Sequence, residues 1–371
     1  MLPSQRTFQT LALLCFFTLG YSIAASHQET NGNIPPNPAA TQEQAEQEKK
    51  PKDQKEKAEK KERKEEEAQN YPAVLWRDPG DISTLDMING AGGAEHAPKP
   101  GAEYTFIKED TNGTATKFYV KDSDGVEWLA KLGPEAKPET AATRFAWAMG
   151  YFTDEDYYLP QIHVNGLPIL QRRMYGASKK TGIVPRVRLK REVKKIENWK
   201  WDDNPFVGTR ELNGLRVLMS LMNNWDLTEN NNKVYVIDKE RRFVDSDLGA
   251  AFGETGQVIP PATKSWLWAY EHTKFIKKRT PDTVSFVMRT HALFIFEPFA
   301  PKLYKTYAQV ERVAENIPIA DAIWMGSQLS KLTPEQVKDA FRTAGYPPEK
   351  VDGFARAFES RVAQLNSLRN P

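Results

Sequence analysis

Asn223-Asn224-Trp225-Asp226-Leu227-Thr228-Glu229-Asn230-Asn231-Asn232 is the stretch on which the reading of this chain turns. Before it, Leu212, Leu215, Leu218, Leu221 and Met222 recur at helical spacing, which predicts a helix over 210–222. After it, KVYVID (233–238) and Arg242 to Asp245 predict a hairpin. Sixteen residues beyond Asn231 stands Asp247, within Val244-Asp245-Ser246-Asp247-Leu248-Gly249-Ala250-Ala251-Phe252-Gly253. Helix, polar loop D-x-x-x-x-N, hairpin and then D-x-G is a layout suited to phosphoryl transfer. One Asp orients or deprotonates an attacking hydroxyl, while an Asn and a second Asp offer hard oxygen ligands to Mg²⁺ bridging nucleotide phosphates. Singly, Asp226 with its Asn run suits a turn, and Asp245 and Asp247 suit the flanks of a β-turn. Their joint order and spacing argue for chemistry.

Phosphoryl transfer also needs a cation, and one is available upstream. YTFIKE (104–109), KFYVKD (117–122) and VEWLAKL (126–132) predict strands separated by turn signals at 111–114 and 122–125. Lys131 sits late in the third strand, where a half-buried charge requires a partner. A snorkelling surface lysine is the plain alternative. Glu139 lies at the start of a helix predicted from Pro138-Glu139 to Gly150 and can reach back to Lys131; Glu135 is the other carboxylate in range. Gly113 lies in the first turn, with Thr111, Thr114 or Thr116 as phosphate donors beside it. Strands are also expected at 158–162 and 167–171. Helices dominate from Ser265 onward, including one capped by Thr333 and a last one from Pro348 to about 368. The fold class is α+β: a small β-rich N-lobe over about 71–171 and a larger helical C-lobe over about 172–371.

These residues resemble the protein-kinase-like fold in its atypical branches: type II phosphatidylinositol 4-kinases, Golgi casein kinases and HipA-type bacterial kinases. Asn224-Trp225-Asp226 to Asn231 is similar to their catalytic loop, Asp247 to Gly253 to their metal-binding motif, and the helix from Glu139 to the one that pairs with their lysine. K-L-G-x-E-A (131–136) and R-x-x-W-A-x-G-Y (144–151) also resemble a group of exported bacterial proteins. The resemblance implies a bilobal fold, with ATP and Mg²⁺ or Mn²⁺ as cofactors. In it Lys131, positioned by Glu139, and the Gly113 turn hold the nucleotide, Asp226 is catalytic, and Asn231 and Asp247 bind metal. Two departures stand out. Trp225 replaces the Arg of a His-Arg-Asp triplet, and no G-x-G-x-x-G occurs in the first hairpin.

Composition sets the frame. The chain has 371 residues, 51 Lys+Arg against 49 Asp+Glu, and a net charge of +2, which gives no support to a nucleic-acid partner. A mean hydropathy of -0.62 excludes a polytopic membrane protein. Residues 1–25 read as an export signal, with Arg6, an apolar 11–19 run and small residues at 22–25; an uncleaved anchor is the alternative. The single cysteine, Cys15, falls inside it. Residues 26–70 form a charged spacer with nine basic and eleven acidic residues and no aromatic, a composition expected to be disordered. The Arg172–Lys200 segment is basic and reads either as a solvated surface or as a site for an acidic acceptor or lipid headgroup, hence peripheral membrane association. His163, His272 and His291 lack metal-ligand spacing. The function expected is an exported phosphotransferase acting on a hydroxyl of a protein, lipid or sugar. The alternatives are an inactive binding module on the same fold, or AMP transfer.

Overall fold

The computed structural model describes residues 69–254, 263–288, 298 and 301–369. The expected export signal, nearly all of the spacer and His291 lie outside them. Contacts divide the chain into residues 1–61 and 62–371, and all described residues belong to the second unit. That unit mixes sheets and helices. Among the described residues no helix is long and apolar enough to cross a membrane.

After a short strand β1 (Ala73–Val74), five strands close into a barrel: β2 (Glu103–Asp110), β3 (Thr116–Asp122), β4 (Glu127–Leu132), β5 (Asp156–Asn165) and β6 (Ile183–Arg191). Their order is β2-β3-β4-β6-β5, and the parallel pair Tyr104↔Val164 closes it. Alternation along β3 and β4 puts Phe118, Val120, Trp128 and Ala130 inside the barrel, and Val184 and Leu189 of β6 join them in its core. The opposite faces of β3 and β4 carry Lys117, Tyr119, Leu129 and Lys131.

Three expectations change here. Residues 167–171 are not a strand, since Pro168 cannot donate to a ladder; Leu167 and Leu170 instead tuck under the barrel. The barrel therefore runs on to the end of β6 at Arg191, beyond the expected boundary near 171. The basic run is not simply a solvated surface either, because Arg188 and Lys190 on β6 are 1 % and 4 % exposed.

Helix α1 (Ala136–Ala148) follows β4, with Pro138 in its first turn and Gly150 beyond its end at φ 89°. A Cβ on Gly150 would stand 2.2 Å from the Arg77 carbonyl. The helix is buried on nearly every side. Its apolar residues join the core of the helical part rather than that of the barrel: Phe145 stacks on Phe358 at 4.1 Å and lies 5.4 Å from Phe341. The glycine segment at 90–93 also packs tightly, since a Cβ on Gly90 would meet the Arg144 side chain at 2.6 Å.

The rest comprises β7 (Lys195–Glu197), α2 (Arg210–Leu221), β8 (Asn232–Ile237), β9 (Glu240–Asp245), α3 (Leu267–His272), β10 (Ile276–Arg279), β11 (Thr283–Phe286), α4 (Pro301–Val313), β12 (Ile317–Pro318), α5 (Ile319–Leu329), α6 (Pro334–Thr343) and α7 (Pro348–Ser367). Strands β1, β9, β8 and β7 form one sheet and β10 to β12 another, so the region after Ser265 is less purely helical than expected.

Thr333 caps α6 in a reciprocal box with Gln336. Gln336 also donates to the Ile82 and Leu85 carbonyls at 2.8 and 3.0 Å, tying the N-terminal segment to the helix. Thr333→Ala should lower stability by about 1 kcal/mol. A thermal melt should register this as a fall of roughly 2–4 °C; an unchanged midpoint would count against the cap.

Candidate active site

Lys131 is the penultimate residue of β4. In the barrel ladder it pairs with Lys117 on one side and Arg188 on the other, a row of three cations on one face. Like charges directly opposite repel, so the row requires carboxylates. Asp110 takes Lys117 at 3.3 Å. Glu139, 1 % exposed in the first turn of α1, takes the other two: Oε2 lies 2.7 Å from Lys131 Nζ, and Oε1 accepts from Arg188 Nη2 at 2.6 Å. The Lys131–Glu139 contact is a close charge pair rather than an aligned hydrogen bond. Lys131 Nζ also reaches Glu135 and Asp247, both at 3.1 Å. Burial pulls the ammonium down, but Glu139 and Asp247 outweigh it and hold the group well above its usual range.

Asp247 follows β9 by two residues. The segment it opens is anchored at its far end by Phe252, whose ring packs among Phe145, Phe341, Phe354 and Tyr270. Phe252 has φ 57°, a conformation costly for an aromatic residue and held here by that packing and by a 2.7 Å bond to the Met222 carbonyl. Asp247 sits within the cluster with its side chain 38 % exposed. Burial raises its carboxyl, but Lys131, by charge and hydrogen bond, holds it below the usual carboxylate range. Asp226 and Asp245 move the other way. Burial raises each, and the Asp247 charge adds to it. Both carboxylate oxygens of Asp245 are buried without a hydrogen-bond partner. Asn231 donates to the Asp226 carbonyl at 2.6 Å, which fixes the loop and leaves its amide oxygen as the atom suited to a cation.

The structure therefore brings Lys131, Glu139, Glu135 and Asp247 into direct contact, with Asp226 and Asn231 joined to each other beside them. It does not bring Gly113 to the carboxylates. Gly113 is exposed at the β2–β3 turn, and Lys117 Nζ is the nearest atom, at 4.0 Å, to where its Cβ would stand. Arg172 binds the carbonyls of that turn, including Thr111 at 2.6 Å, and Thr116 spends its hydroxyl on the Arg173 carbonyl. Thr116 is thus removed from the expected phosphate donors.

No family model and no curated protein matches this sequence. Among solved structures, the chain is similar to a Helicobacter pylori proinflammatory kinase, CtkA. The identity is 8 %, the TM-score 0.42, and the match covers 72 % of this chain and 98 % of that one. A likeness of that size carries no argument about what the site does; the side chains have to.

Several of those side chains escaped the sequence reading. Asp154 accepts from Lys190 at 3.0 Å and Tyr235 at 2.9 Å, and from Ser246, which precedes Asp247. Lys190 lies on β6 and Tyr235 on β8, so this buried carboxylate ties the barrel to the segment carrying Asp247. Arg361 on α7 donates to Asn223 Oδ1 at 2.6 Å, and Asn223 donates to the Gly253 carbonyl at 2.7 Å, fixing both ends of the polar loops. Lys264 pairs with Glu135, lies 5.1 Å from the Trp225 ring centroid, and its charge opposes the rise at Asp226. One signal was available: Arg186-Val187-Arg188-Leu189-Lys190 alternates strictly, the mark of a strand with a charged face.

Among the described residues no group of three or more His, Cys, Asp or Glu side chains is arranged to hold a metal ion. The donors suited to one are two, Asp247 and Asn231, both hard oxygens, with mutually repelling carboxylates beside them that a cation would relieve. A cavity of about 900 Å³ is lined by Arg77, Phe152, Asp154, Arg191, Tyr235 and Arg242 among others, and by none of Lys131, Glu139, Asp226, Asn231 and Asp247.

Proposed function

We propose that this protein is a phosphotransferase of bilobal, kinase-like architecture, exported and acting on a hydroxyl acceptor. The observation that carries the reading is Lys131 Nζ, 2.7 Å from Glu139 on a helix and 3.1 Å from Asp247 on a distant loop, three residues separated by up to 116 positions. A lysine held this way is preorganised for nucleotide phosphates at little further cost. Asp247 and Asn231 would hold Mg²⁺ or Mn²⁺, which when bound neutralises the charge of the phosphates. Asp226, raised by burial and by Asp247, suits a group that receives the proton of an attacking hydroxyl. Lys264 balances negative charge at the same point.

The test is transfer of labelled γ-phosphate by the purified chain to itself or to added hydroxyl compounds, with and without metal. Transfer should require Mg²⁺ or Mn²⁺ and fall to background in EDTA. A rise in melting temperature with nucleotide but no transfer would favour the inactive binding module. Addition of an adenylyl group in the mass spectrum would favour AMP transfer. Absence of both transfer and a nucleotide-dependent shift would sink the proposal.

A further inference from the structure

A second cavity, of about 300 Å³, opens between the start of α1 and Lys264 and Ser265. Its walls include Lys137, Arg186 and Lys264, the hydroxyl residues Tyr158, Tyr175 and Ser265, and, among the described residues, no carboxylate. Three cations lining one small space give it a positive potential that favours a counter-charge. The protein supplies it to one of them: Lys264 pairs with Glu135. Lys137 Nζ is held instead by the Gly345 carbonyl and the faces of Tyr158 and Tyr346, at 5.4 and 5.3 Å. Arg186 donates to the Tyr175 carbonyl at 3.2 Å. These are neutral partners. The crowding is felt at Lys137, whose ammonium is pulled below its usual range by burial and then by the charges of Lys350 and Arg186.

We infer that this cavity is a binding site for a phosphate-type dianion, gripped by Lys137, Arg186 and Lys264. Arg186 offers a planar fork, the two lysines offer point charges, and the tyrosine hydroxyls add neutral donors. The site is separate from the Lys131–Asp247 cluster but joined to it. Glu135 binds Lys264 through one oxygen and Lys131 through the other. An anion that draws Lys264 toward the cavity therefore frees Glu135 for Lys131. Phosphate binding does not depend on the phosphotransferase reading, and either can fail without the other.

The full chain is titrated calorimetrically with inorganic phosphate and, separately, with phosphoserine, at constant ionic strength. Both should bind saturably if the dianion alone is recognised; binding of phosphoserine only would assign the site to a phosphate ester. A charge-assisted hydrogen bond carries about tenfold or more in affinity, so Lys137→Met with Arg186→Met should weaken binding roughly a hundredfold. Lys338→Met, at an exposed pair with Asp352, should leave it unchanged. Amine acylation of the wild-type chain, read by mass spectrometry, needs no variant: phosphate should slow labelling of Lys137 and Lys264 but not of Lys338. Absence of saturable binding for both probes, or equal protection of all three lysines, overturns the site.

Discussion

Asp247→Ala should abolish metal-dependent phosphate transfer while leaving the fold nearly untouched. Asp247 is attracted by Lys131 at 3.1 Å but faces the carboxylates of Asp226 and Asp245, and each of those is raised in part by its charge. Removing it deletes the Lys131 pair and the attraction of Arg188 and Lys190, and it relieves the repulsion felt at Asp226, Asp245 and Glu135. Lys131 keeps Glu139 and Glu135, so no buried charge is left alone. The stability change is expected within about 1 kcal/mol. Activity should respond quite differently. A group that fixes the metal and the phosphates supplies charge stabilisation where negative charge develops, and its loss costs on the order of 10²–10³-fold or more in kcat. The decisive pairing is a melt and a γ-phosphate transfer assay on the same preparation. A variant that melts with the wild type and transfers phosphate as fast would show that Asp247 is no metal ligand. A variant that simply unfolds would show that its role is structural.

That contrast also explains what the sequence could and could not disclose. The expectation at Asp226, Asn231 and Asp247 rests on local spacing, because the helix, the polar loop and the hairpin around them are contiguous in the chain. The Lys131–Glu139 pair was within reach because eight residues separate its members across a strand-to-helix turn. The partners that hold these groups in place were not visible. Arg188 is 49 positions from Glu139, and Asp154 is 92 from Ser246. The alternation of 186–190 marks a strand with a charged face, but the partner of Arg188 emerges only when the register of β6 in the barrel puts it opposite Lys131. The fate of α1 was hidden for a similar reason. Its apolar spacing predicts a helix but does not say which core receives it, and Phe145 joins the aromatic cluster of α6 and α7 rather than the barrel. Register and tertiary partners decide both questions.

Glu139→Ala should be among the most destabilising single substitutions in the molecule. The carboxylate serves two cations at once, and both are nearly sealed from water, with side chains 3 % exposed at Lys131 and 1 % at Arg188. Lys131 would retain Glu135 and Asp247. Among the described residues the ion pair left to Arg188 would be the more distant Asp156, at 3.6 Å. Asp156 is a poor replacement: burial pushes its carboxyl up to about 7, with Arg188 pulling against that rise. Breaking a buried charge pair by removing one partner typically costs about 3–5 kcal/mol, because the surviving charge keeps its desolvation penalty. For a folded part of this size that is roughly a 5–15 °C fall in melting temperature. Glu139→Gln should cost less, since the amide oxygen still accepts from Arg188 Nη2, yet it supplies no charge to Lys131. The two variants thus separate packing from charge. If Glu139→Ala melts within about 2 °C of the wild type, Arg188 and Lys131 do not depend on Glu139, and the row of cations on the barrel must be balanced by other groups.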